Sequence, residues 1–229
     1  NSVLNSTKQY QDSVTISAFQ RQINQYTALT HYKPYTIQFE AENGVIPFTI
    51  ASVGKDGHES VLLRLNESYI NGIKTDITFD TGAAVNVISD SLALKLNLIS
   101  LDDSGNVAGI GLASGKLAMA KEFKIGNITI MDVPFLVMNI TSNNEEADQF
   151  MDCFNIVVGS ELMLRLKDLT LDFVDRRIYI PATPPFKTDI PSNICFSSQM
   201  NLLTKGVIHN NPMLMCIDSG DTSFGSLGS

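Results

Sequence analysis

Cysteine and histidine are scarce. The 229-residue chain holds three of each, Cys153, Cys195 and Cys216, and His31, His58 and His209. Three cysteines cannot build a disulfide framework, and neither set has the close spacing of a zinc site. No metal or other cofactor is therefore expected. Basic residues are outnumbered, 16 Lys plus Arg against 24 Asp plus Glu, for a net charge of −8. That balance argues against nucleic acid as a partner, which needs a basic surface, and against anchoring to anionic lipid. No apolar run approaches the roughly 18 residues of a membrane span. Residues 1–11 are polar and lack the basic-then-apolar order of a signal peptide, so an exported form would already have lost its signal. What remains is 44% hydrophobic with a mean hydropathy of +0.07, the composition of a folded chain with a sizeable core.

Along the chain, Ile16, Phe19, Ile23 and Tyr26 recur at helical spacing, which predicts an amphipathic helix over 14–30, stopped before Pro34. From Tyr35 the character changes to short runs rich in β-branched and aromatic residues. These are punctuated by turn signals such as Asn43-Gly44, Asn71-Gly72, Ser114-Gly115 and Gly126-Asn127, and the pattern predicts an all-β body. Ser89 and Asp90 before the leucines at 92, 94, 96 and 98 favour a short helix there. Pro181, Pro184, Pro185 and Pro191 crowd residues 181–191 and read as linker.

The chain repeats itself at an offset of 138 residues. Tyr69 to Ala83 aligns with Val207 to Asp221. Each copy reads as a strand, a two-residue turn (Asn71-Gly72; Asn210-Asn211 or its neighbour) and a second strand ending in Asp-Thr/Ser-Gly. Asn-Gly is the favoured pair for a tight hairpin because both turn residues need positive φ. Average composition predicts only about 0.1 chance occurrences of Asp-Ser/Thr-Gly in a chain of this length. Two copies, each behind an apolar strand, are therefore a specific signal.

These two segments, Asp80-Thr81-Gly82-Ala83 and Asp218-Ser219-Gly220, resemble the active-site loops of the pepsin-like and retropepsin-like aspartic proteases. Ile156-Val157-Val158-Gly159 resembles that family's apolar-apolar-Gly segment, with Leu171-Asp172-Phe173 and Arg177 to Ile180 as the closing hairpin of the lobe. The glycine-rich stretch around Gly109, Ile110, Gly111 and Leu112 occupies the place of the family's substrate-covering flap. The resemblance implies an all-β acid-protease barrel lobe with a flap hairpin, short helices, an N-terminal helix and a partial second lobe. Its expected organisation is an N-terminal helical segment 1–33, a first lobe 34–182, a linker 183–199 and the start of a second lobe 200–229.

The chemistry follows from two carboxylates. Held about 3 Å apart, they cannot both ionise, so the pair keeps one proton and its titration splits. One member can then take a proton from water while the other donates to a substrate carbonyl. Asp80 and Asp218 are the candidates for this dyad. The resemblance implies that Thr81 and Ser219 lock the loops together and that Gly82 and Gly220 provide the turn and the backbone donors. Ala83 follows the family pattern, whereas Asp221, after the second glycine, does not. A third carboxylate facing the pair would raise its pKa values. The implied function is an exported aspartic endopeptidase acting on a polypeptide held as an extended strand under the flap. Two other readings stay open: a non-catalytic peptide-binding protein on the same scaffold, and a retropepsin-type homodimer that takes Asp80 from each of two chains. The chain stops soon after Asp218, so the expectation is that the rest of the second lobe comes from a missing C-terminal part or another chain.

Other features carry less. Lys55-Asp56-Gly57-His58 reads as an exposed turn, and Asn143 to Asp148 as a solvated acidic loop. The Asn-x-Ser/Thr matches at Asn5, Asn66, Asn127 and Asn139 matter only in a secreted, glycosylating setting. Cys216 is expected to be a buried small hydrophobe. Residues 1–33 contain only Lys8, Arg21 and Lys33 as basic groups, a poor match to the Lys-rich propeptides of the family.

Overall fold

A computed structural model describes residues 12–53, 60–101, 116–140, 152–181, 193–197 and 200–220. Helix α1 spans Ser13–Leu29, capped by the Asp12 carboxylate, which accepts from the Thr15 N–H at 2.7 Å. It ends short of Pro34, close to the predicted 14–30.

Strands β1 (Thr36–Phe39), β2 (Gly44–Val53), β3 (Ser60–Leu65), β4 (Ser68–Ile70), β5 (Ile73–Lys74), β6 (Ile77–Phe79) and β7 (Val87–Ser89) follow. Helix α2 (Asp90–Lys95) confirms the short helix expected after Ser89, which is its N-cap residue. Then come β8 (Ile99–Ser100), β9 (Lys116–Ile125), β10 (Ile128–Met138), β11 (Ile156–Val158), α3 (Ser160–Leu166), β12 (Thr170–Asp172) and β13 (Arg177–Ile180). The closing hairpin read from sequence is β12 against β13.

These 13 strands form one sheet in the order β12-β13-β2-β3-β6-β11-β7-β10-β9-β4-β5, with β1 on β10 and β8 on β9. Two pairings are parallel, β11 with β6 and β10 with β7; the rest are antiparallel. Of the expected all-β barrel lobe with short helices, the structure supports the coarser part, a single curled lobe. The sheet is mixed, carries helices, and curls into an open half-barrel whose end strands β12 and β5 do not meet. The short β5, two residues long, offers too little edge for closure.

The concave side holds the core. Ile46, Ile70, Ile77, Ile88, Phe123 and Phe135 are fully enclosed, the two phenylalanines meeting edge to face at 6.0 Å. Each such side chain contributes about 1.5–3 kcal/mol by leaving water. This packing makes β6 and β11, at the centre of the sheet, a rigid base for the loops that leave their C-terminal ends.

A separate three-stranded sheet, β14 (Ile194–Phe196), β15 (Leu202–Ile208) and β16 (Asn211–Cys216), ends the described chain. Ile194, Phe196, Val207 and Leu214 are exposed on it. Cys216 is exposed as well, not the buried hydrophobe expected, because no second layer packs on this sheet among the described residues. No disulfide joins Cys153 to Cys195.

The sequence repeat is structural at its turns. Asn71 (φ 49°) and Gly72 (φ 78°) form the tight hairpin turn between β4 and β5. In the second copy the turn residues are His209 (φ 48°) and Asn210 (φ 66°), between β15 and β16. The copies then diverge. β5 pairs with β4 over only two positions before the chain leaves for β6, because β3 and β11 take both edges of β6. β16, with no such neighbours, stays paired with β15 through Leu203 opposite Cys216.

Candidate active site

β6 and β16 both end at an aspartate. β6 is clamped between β3, with Leu63 opposite Phe79, and β11, with Val158 opposite Phe79. The Asp80 N–H donates to the Val158 carbonyl at 3.0 Å, so Asp80 is the last residue the sheet holds before the chain turns. Its Oδ1 accepts from the Gly82 N–H at 2.8 Å. The second loop repeats the motif: Asp218 Oδ1 accepts from the Gly220 N–H at 2.8 Å.

The two loops interlock. The Thr81 N–H donates to Ser219 Oγ at 3.0 Å and the Ser219 N–H donates to Thr81 Oγ1 at 2.9 Å. Each hydroxyl then donates past its partner, Thr81 Oγ1 to the Ile217 carbonyl at 2.7 Å and Ser219 Oγ to the Phe79 carbonyl at 3.0 Å. Every donor and acceptor of this clamp is used in a two-fold pattern, although one hydroxyl is threonine and the other serine.

The clamp brings each glycine against the other loop's aspartate. A Cβ on Gly82 would overlap the Asp218 carboxyl, and one on Gly220 would overlap the Asp80 carboxyl. The absence of a side chain at both positions is what lets the acids approach. Burial pushes the Asp80 carboxyl up to about 6, helped by the neighbouring Asp218 charge and by a carboxyl–carboxyl hydrogen bond. The backbone N–H groups of Gly82 and Ala83 oppose that rise by favouring the anion. Of the two acids, Asp80 is partly buried and Asp218 is exposed. Such a pair, one proton between two acids, can donate and accept protons at one point in space.

Behind the first loop lies the apolar-apolar-Gly segment. The Ser160 N–H donates to the Ala83 carbonyl at 2.8 Å and Ser160 Oγ to the Thr81 carbonyl at 3.1 Å. A side chain at Gly159 would meet the Ala83 carbonyl oxygen at 2.5 Å and that of Val85 at 2.6 Å. The loop is thus pressed onto the N-terminal end of α3.

Asp80, Thr81, Gly82, Ala83, Asp218, Ser219 and Gly220 are therefore brought together. Gly109, Ile110, Gly111 and Leu112, expected in a flap, lie outside the described residues, as do Asp221, Lys55 to His58 and the acidic run 143–148. Among the described residues no group of three or more His, Cys, Asp or Glu is placed to hold a metal ion. None of the described helices is long and apolar enough to cross a membrane. Sequence reading assigned no role to Ser160, Asn86, Tyr35 or Glu161, all of which pack behind the loop. For Asn86 a signal existed, a lone amide between Val85 and Val87 in an apolar stretch.

One family model matches a span that contains the first loop. Residues 67–162 match the family model described as aspartyl protease, a span that runs from the Asn71-Gly72 hairpin through Asp80 to the apolar-apolar-Gly segment. Among solved structures, the chain is similar to a retropepsin-like aspartic protease from Rickettsia conorii, with 17% identity and a TM-score of 0.37, over 65% of this chain and 94% of that one. No curated protein matches the chain.

Proposed function

We propose that the protein is an aspartic endopeptidase whose catalytic dyad is Asp80 and Asp218. The observation that carries this reading is the reciprocal one: each Asp-Thr/Ser-Gly loop supplies the glycine that accommodates the other loop's carboxyl. A structural turn needs no such reciprocity. The match of residues 67–162 to the aspartyl protease family supports the same reading.

In the proposed reaction a water molecule lies between the carboxyls. The ionised one takes a proton from the water, whose oxygen attacks the scissile carbonyl carbon. The protonated one gives its proton to the carbonyl oxygen, producing a neutral tetrahedral diol. Return of a proton to the amide nitrogen lets the C–N bond break, releasing an acid and an amine. A carboxyl raised to about 6, as Asp80 is, stays available as a proton donor in weakly acidic solution. The substrate is an extended polypeptide, bound by its backbone. In this bilobal reading further chain would cover the β14–β16 sheet, which exposes Ile194 and Phe196 on one face and Val207 and Leu214 on the other.

The test is cleavage of a denatured polypeptide from acid to neutral pH by wild type, Asp80→Asn and Asp218→Asn, with the oligomeric state measured alongside. The expected result is cleavage by a monomer, reduced at least about a thousandfold by either substitution. Retained activity in Asp218→Asn would instead mean that two chains each contribute Asp80. A wild type that cleaves nothing but still binds peptides would make the protein a binding module.

A further inference from the structure

Asn86, 1% exposed, holds three parts of the chain at once. Its Oδ1 accepts from the Gly159 N–H at 3.1 Å; its Nδ2 donates to the Pro134 carbonyl at 3.2 Å and to the Tyr35 hydroxyl at 3.1 Å. The Tyr35 hydroxyl, having accepted from Asn86, keeps its own proton to donate, and the Glu161 carboxylate is the charged acceptor beside it. The Glu161 N–H donates to the Ala84 carbonyl at 3.2 Å. Ala84 precedes Asn86 by a single intervening residue, so Ala84, Glu161, Tyr35 and Asn86 stand as a ring of neighbours behind the loop.

Asn86 and Tyr35 are buried, and Glu161 is half-buried beside Arg165. Burial pushes both Tyr35 and Glu161 above their ordinary ranges, while the Arg165 guanidinium, 5.4 Å from the Tyr35 ring centroid, favours the Glu161 anion. Tyr35 is also held in the left-handed region, at φ 60°. A non-glycine residue there is strained and persists only where its surroundings fix it. Here the Tyr35 N–H donates to the Asp132 carbonyl at 3.3 Å and its hydroxyl is gripped by Asn86. A packing role alone could be filled by phenylalanine in a relaxed backbone. The hydroxyl and the strained entry serve the ring.

We propose that Asn86, Tyr35 and Glu161 are positioning residues for the active-site loop, the ring fixing the backbone of residues 82–86 so that the Gly82 and Ala83 N–H groups are aimed at the Asp80 carboxyl. The inference rests on the protease reading of Asp80. It gives Tyr35, just before β1, a part in holding the active-site loop by way of one hydroxyl. The mechanism is preorganisation: a loop that must hold its donors within a fraction of an ångström is braced from behind by a satisfied polar network.

The test uses the intact protein with Tyr35→Phe, Asn86→Ala, Glu161→Gln and Glu161→Leu. Each is measured for kcat and KM on a denatured polypeptide, for melting temperature, and for the carbon-13 titration of the Asp80 carboxyl. Tyr35→Phe and Asn86→Ala should lower kcat about tenfold or more with KM changed less than about twofold. The Asp80 titration midpoint should fall toward the ordinary carboxylate range as water enters the loosened loop. Glu161→Gln, which keeps an acceptor for the Tyr35 hydroxyl, should retain most of kcat, and Glu161→Leu should not. The proposal is overturned if Tyr35→Phe lowers the melting temperature yet leaves both kcat and the Asp80 titration at wild-type values. Should Asn86→Ala fail to fold, Tyr35→Phe remains the deciding variant. A wild type without cleavage would remove the protease reading by itself, and the titration would still decide the ring.

Discussion

Thr81 and Ser219, 138 residues apart, each donate a backbone N–H to the other's side-chain oxygen, at 3.0 and 2.9 Å. This exchange ties the last strand of the second sheet to the centre of the first, because each hydroxyl also reaches the carbonyl two residues before the partner loop's hydroxyl residue. The clamp requires an N–H, an oxygen acceptor and an O–H donor on both sides. Only serine or threonine supplies the last two in so short a side chain.

Thr81→Val keeps the shape of the side chain and removes the hydroxyl. It leaves the Ser219 N–H and the Ile217 carbonyl without their partner, a loss on the order of 1–3 kcal/mol per orphaned group. Cleavage should fall sharply, and amide hydrogen exchange in β15 and β16 should accelerate while the core strands β6 and β11 stay protected. Thr81→Ser, which keeps the hydroxyl, should restore both. Unchanged exchange in Thr81→Val would show that the clamp does not hold the second sheet.

Asp80→Asn tests the electrostatics. The carboxyl is raised from 3.8 to about 6 in the folded protein. A group raised on folding contributes its stability fully below the unfolded value, and that contribution is lost as pH climbs through the folded value. At neutral pH the wild type therefore carries an unfavourable buried charge that asparagine lacks. Asp80→Asn should melt higher than wild type at pH 7, by an amount on the order of 1–3 kcal/mol, and the advantage should vanish below about pH 4. Melting curves at the two pH values check it; a destabilised variant at neutral pH would contradict the assigned burial.

Gly82→Ala places a methyl group where the Asp218 carboxyl lies. The second loop must retreat, so cleavage should fall at least about a hundredfold. The core is untouched, and the melting temperature of the first sheet should drop by no more than a few degrees, as expected for a change outside the packed interior. Circular dichroism and an activity assay on the same preparation separate the two effects.

Asn71 joins three elements. Its Nδ2 donates to the Leu96 and Asn97 carbonyls at 2.7 and 3.2 Å, and its Oδ1 accepts from the Lys121 and Glu122 N–H groups at 2.9 and 3.1 Å. Asn71→Ala should cost about 2–4 kcal/mol, from the unmet backbone groups together with the left-handed conformation. His209, its exposed counterpart in the second copy, should tolerate alanine at no more than about 1 kcal/mol. Urea denaturation of the two variants makes the comparison, and equal losses would count against the assigned role of the Asn71 amide.

Part of this structure was readable from the chain alone, and for local reasons. Helix α1 follows from apolar spacing and the stop at Pro34, and the Asn71-Gly72 turn from two residues that accept positive φ. Asp80 and Asp218 stood out because a short motif recurred behind similar strands. The second turn was placed only approximately, at Asn210-Asn211 or its neighbour, because histidine gives no turn signal; the structure puts it at His209-Asn210. The exposure of Cys216 was missed because a strand's apolar pattern says which residues could be covered, not whether a layer exists to cover them. How the edges of the first sheet end was not readable either, since strand count does not fix it.

By itself the sequence determined the acid residues, their flanking glycines and hydroxyls, the first turn and the β-rich character, all properties of a few consecutive side chains. Only the tertiary structure decided that the two loops exchange hydroxyls, that each glycine faces the opposite acid, and that Asn86 grips the Tyr35 hydroxyl behind the loop. Those relationships join residues dozens to more than a hundred positions apart. No local preference encodes them; they arise when β3 and β11 fix both edges of β6 and leave the chain beyond it one place to turn.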